Sequence, residues 1–64
     1  MSKITKTVQF NFYRRQCWEL IIGMEKDYNV EPWENELEKA ETYFNLEAVM
    51  KLFKKLMEIK ATAN

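Results

Sequence analysis

The stretch Val8-Gln9-Phe10-Asn11-Phe12-Tyr13-Arg14-Arg15 decides the fold, because its spacing differs from everything that follows it. From Ile4 to Phe12 the even positions are Ile4, Lys6, Val8, Phe10 and Phe12, and the odd ones are Thr5, Thr7, Gln9 and Asn11. A period of two, rich in β-branched and aromatic residues, is the pattern of a strand with one buried face. Lys6 interrupts it, so the pattern predicts a strand over about residues 7–13. The alternative is an N-terminal extension whose phenylalanines cap a helical core.

Downstream the period changes to that of a helix. Over residues 14–28, with Tyr13 leading in, Cys17, Leu20, Ile21, Met24 and Tyr28 share one face, and Trp18 and Ile22 widen the apolar arc. A helix that apolar needs neighbours on two sides. Gly23 costs about 1 kcal/mol against alanine inside it and suits the close approach of another helix. Cys17, on the apolar face, reads as a small buried hydrophobe.

Asp27-Tyr28-Asn29-Val30-Glu31-Pro32 breaks the pattern. Pro32 fits the first turn of a second helix over 32–44, whose acidic Glu34 and Glu36 suit its positive end. Its apolar stripe is Trp33, Leu37, Ala40 and Phe44. Beyond Phe44 the stripe changes phase to Leu46, Val49, Met50, Phe53, Leu56 and Met57. A bend at 44–46 therefore precedes a third helix over 46–60, with Asn45 as N-cap. One long helix with different neighbours on its two faces is the alternative.

With 64 residues the chain is read as a single domain, 1–64. So small a domain is marginally stable by itself and is usually supplemented by a disulfide, a metal or a partner. Cys17 is the only cysteine and there is no histidine, so an internal disulfide is excluded and a structural zinc site is disfavoured. Partner surface remains. No metal or cofactor is expected. Residues 1–10 lack the apolar core of a signal peptide, and no apolar run reaches the roughly 18 residues that span a bilayer. The lone cysteine fits a reducing, cytoplasmic setting. Charge is segregated: Lys3, Lys6, Arg14 and Arg15 stand in residues 1–16 without an acid, while Glu31, Glu34, Glu36, Glu38 and Glu41 face only Lys39. An anionic partner for the basic arm is one reading; solvated helix faces are the other.

A lone strand leaves backbone donors and acceptors unpaired on both edges. This chain offers it no mate, so the economical partner is the same strand of a second copy, forming an antiparallel ribbon across a two-fold axis. In these residues, above all Gln9-Phe10-Asn11, and in the order of parts after them, the chain resembles the ribbon-helix-helix family of dimeric DNA-binding repressors over about residues 7–45. The turn Asn29-Val30-Glu31-Pro32 departs from the family's glycine-containing one, and the helix at 46–60 is additional.

The resemblance implies a mainly α fold with an intersubunit β-ribbon and a homodimer on double-stranded DNA. Its core would hold Phe10, Phe12, Trp18, Ile21, Ile22 and Leu37. Gln9, Asn11 and Tyr13 would read bases in the major groove, and Lys3, Lys6, Arg14 and Arg15 would hold phosphates. The function implied is a transcriptional repressor or antitoxin-like regulator, with a protein partner on residues 46–60. The competing reading is a small all-α three-helix bundle serving as a protein–protein interaction module: inhibitor, adaptor or assembly factor. An enzyme is disfavoured, since the sequence has no nucleophile–base pair and no glycine-rich phosphate loop.

Overall fold

In the computed structural model, which describes residues 5–62, the opening stretch is helical. Helix α1 runs Lys6–Met24, α2 runs Glu31–Thr42 and α3 runs Leu46–Thr62. There is no strand among the described residues. The strand expected at 7–13 is therefore corrected to the first two turns of α1, and the intersubunit ribbon built on it is not formed. The all-α three-helix alternative fits.

The physical reason is visible at Thr5. Its backbone is extended (φ −77°, ψ 163°), and its Oγ1 accepts a hydrogen bond from the Val8 N–H at 3.2 Å. That is an N-cap, which satisfies one of the orphan donors of a helix start. Counting from this cap, Phe10 falls in phase with Cys17, Ile21 and Met24, and all four are buried. Phe12, two residues on, lies about 200° around the helix from Phe10 and is 55% exposed. The alternation counted both phenylalanines on one face; only Phe10 continues the downstream stripe. A helix also satisfies its backbone internally, so the need for a borrowed strand disappears. Helix propensity of Thr7 and Val8 is poor, but it is a weak preference that burial of Phe10 overrides.

Between α2 and α3 the chain turns through Phe44, whose φ of 51° is left-handed. Asn45 N–H donates to the Ala40 carbonyl at 2.9 Å, and Phe44 N–H to that of Glu41 at 3.2 Å. This is a Schellman closure, in which glycine usually occupies the left-handed position. Phenylalanine there costs about 1–2 kcal/mol of backbone strain. The compensation is its ring, which lies on Phe10 with centroids 4.5 Å apart, and carries the Lys6 ammonium 5.8 Å from its centre. Asn45 then starts α3, its Oδ1 accepting from the Ala48 N–H at 3.1 Å. The turn sits where the apolar stripe changes phase, so both stripes meet one core.

That core is Phe10, Cys17, Ile21 and Met24 from α1, Val30 from the connection, Leu37 and Ala40 from α2, and Val49, Leu52 and Leu56 from α3. No polar or charged side chain is buried among the described residues. At the α1–α2 edge, Glu41 Oε2 accepts from Trp18 Nε1–H at 3.1 Å and lies 3.5 Å from Arg14 Nη1. At the α2–α3 edge, Glu36 lies 3.5 Å from Lys55. Two of the acids of α2 thus clasp its neighbours. None of the helices is long and apolar enough to cross a membrane, among the described residues.

Candidate interaction surface

The residues expected to touch DNA do not converge. Gln9 is half-buried on the α3 side of α1 and Asn11 is exposed. Tyr13 turns inward, its ring edge-on to Phe53 with centroids 5.4 Å apart. Arg14 is engaged with Glu41 and Lys6 lies over Phe44, whereas Arg15 stands in solvent. Lys3 lies outside the described residues. Of the side chains assigned to a dimer core, Phe10, Ile21 and Leu37 belong to the core of this chain, and Trp18 is half-buried at the α1–α2 edge. Phe12 and Ile22 lie outside that core: Ile22 is 64% exposed.

No cluster of three potential metal ligands occurs among the described residues. Cys17, the one thiol, is completely buried, its Sγ 3.6 Å from the Val49 carbonyl. Burial, and secondarily the negative charge of Glu36, pushes its pKa from an ordinary 9.0 up to about 11. The thiolate is the reactive form, so this thiol is inert in the folded chain.

A pH dependence follows from that shift. Between the two pKa values the unfolded chain has released a proton that the folded chain keeps. The Cys17 contribution to stability is therefore complete below about pH 9 and is lost as pH rises through about 11, at up to about 1.4 kcal/mol per pH unit. Urea unfolding of the wild type against Cys17→Ala across this range should show the steeper alkaline loss only where the thiol is present. Parallel pH curves for the two proteins would contradict it.

What the fold leaves unsatisfied is apolar surface. Val8 (56% exposed), Phe12 and Ile22 lie along the outer face of α1, opposite the core. Beside them, Val8, Gln9, Phe12, Tyr13 and Met50 line a depression of about 400 Å³ between α1 and α3. A second hollow, of about 300 Å³, lies on the outer face itself among Val8, Asn11, Phe12, Arg15 and Gln16. On α2, Glu31, Glu38 and Lys39 stand in solvent, and Tyr43, the C-cap of the helix, is exposed beside Lys39.

The outer face of α1 thus combines exposed apolar residues with the charged Arg15 and Glu19. Sequence patterning missed this surface because it assigned Phe12 to a buried strand face and Ile22 to a widened core stripe. The available signal was the spacing of Val8, Phe12, Arg15, Glu19 and Ile22, alternately four and three residues apart. No protein-family model, curated protein or solved structure matches the chain.

Proposed function

We propose that this chain is a small helical protein–protein interaction module that docks through the outer face of α1. The observation that supports the reading is the row Val8, Phe12 and Ile22, each more than half exposed on one face of a helix whose opposite face makes the core. Isolated exposed apolar residues are ordinary, whereas several aligned on one helix face, here Val8 and Phe12 with Ile22 beyond Arg15 and Glu19, suit a binding face. With Met50 beside Val8 and Phe12, the stripe suits a partner helix lying along it. The repressor reading depended on a ribbon; with Gln9 and Asn11 on a helix, that route to base edges has no structural basis.

Site-specific photocross-linking tests the proposal in the cell. A photoreactive side chain at position 12 should give a discrete protein adduct, and the same group at position 38, on the acidic side of α2, should not. Equal yields from the two positions, or none from position 12, would remove the interaction reading.

A further inference from the structure

The row on the outer face of α1 has a second property: from Phe12 to Ile22 it matches itself in reverse. Val8, Phe12, Arg15, Glu19 and Ile22 follow the alternating four- and three-residue spacing of a coiled-coil seam. The core stripe of α1 lies on the other side of the helix, so this seam is free to meet a second helix. We infer that its occupant is a second copy of this chain, with α1 packed antiparallel on α1 across a two-fold axis near Cys17. The inference rests on the reading of this face as a docking surface.

In that register Phe12 meets Ile22 of the second copy, and Ile22 meets its Phe12. At the centre Arg15 meets Glu19 of the second copy, twice by symmetry. Arg15 and Glu19 are both exposed and neither has an ion-pair partner among the described residues. A parallel pair would instead set arginine on arginine and glutamate on glutamate, so the charges select the antiparallel arrangement.

The surface relief agrees. Knobs-into-holes packing needs a hole of four residues at i, i+3, i+4 and i+7. Val8, Asn11, Phe12 and Arg15 have this spacing, and they border the hollow already present on the outer face. Ile22 of the second copy would fill it. The reciprocal hole, for the larger Phe12 ring, lies around Glu19, Ile22 and Gly23. A Cβ added at Gly23 would meet nothing within 4 Å in this chain. Glycine here is not required by the monomer; its missing side chain leaves room for the ring.

The paired seam runs about 15 Å from Phe12 to Ile22, which places it among small, concentration-dependent interfaces. Sedimentation equilibrium over a concentration series should show a mass rising from one chain to two. Arg15→Glu or Glu19→Arg alone sets like charges together twice across the axis and should weaken the dimer about tenfold or more. The double reversal, Arg15→Glu/Glu19→Arg, should restore it.

Gly23→Leu should weaken dimerisation by a similar factor while the thermal midpoint of the dilute monomer stays level or rises. Circular dichroism verifies that each variant folds, and all three positions are exposed in the monomer. A wild type that stays monomeric up to about millimolar concentration overturns the proposal. So does a dimer indifferent to both single reversals, or to Gly23→Leu. A monomer whose position-12 adduct is a different protein overturns the second copy and leaves the interaction module standing, whereas absence of any adduct removes both.

Discussion

Phe10→Ala is expected to cost about 3–5 kcal/mol of folding free energy, whereas Phe12→Ala should change it by about 0.5 kcal/mol or less at concentrations where the chain is monomeric. The two residues are the same type, two positions apart, and differ only in which side of α1 they occupy. Phe10 is 4% exposed, touches the Phe44 ring and opens the buried stripe of α1. Its removal leaves a cavity that the rigid Schellman turn beneath cannot collapse to fill. Phe12 meets mainly solvent and the edge of Tyr13, 5.3 Å away between centroids.

Urea unfolding of both variants at low concentration decides the matter. Equal losses would mean that the two rings share a face, as in a strand, and the helical assignment of residues 6–13 would fall.

Leu37→Ala is expected to cost about 2–5 kcal/mol, enough to unfold much of the population at physiological temperature. A 64-residue domain has roughly 3–10 kcal/mol of stability in total. Leu37 is fully buried and is the largest buried side chain that α2 contributes, alongside Ala40. The rest of that helix is charged or only partly covered, and its edge contacts through Glu36 and Glu41 are solvent-screened. Without Leu37 little holds α2 to the other two helices. Thermal melts followed by circular dichroism should show a midpoint fall of more than about 10 °C. A loss below about 1 kcal/mol would show that α2 is held by its edges, contrary to this account.

The difference between these two sites shows what the sequence makes legible. Leu37 could be placed inward from its own stripe, since Trp33, Leu37 and Ala40 repeat at helical spacing with polar residues between them. The turn at Phe44 and Asn45 was legible for a similar reason, as the point where one stripe ends and another begins out of phase. Phe10 and Phe12 were not legible in this way. Both periods place Phe10 on a buried face, and a window of nine residues with Thr5, Thr7 and Val8 favours the shorter period locally. The Phe44 ring that receives Phe10 lies far outside that window, and together with the capping contact at Thr5 it settles the period.

The interaction surface had the same history. Arg15, Glu19 and Gly23 look unremarkable one by one. They form a seam only once α1 is known to begin at Lys6, because its N-terminal half otherwise belongs to a strand.

By itself the sequence determined that this chain builds its core from amphipathic segments, with no disulfide, histidine or zinc-type ligand set. It also marked 44–46 as the place where the second and third segments would part, with one long helix as the alternative, because apolar periodicity and capping chemistry are local properties. Only the tertiary structure decided that the first segment is a helix, and therefore which of two phenylalanines is buried and which is exposed. The reason is energetic. Local preference near Val8 separates helix from strand by a few tenths of a kcal/mol per residue, whereas burying one phenylalanine on a ring from thirty-four residues away is worth several times that.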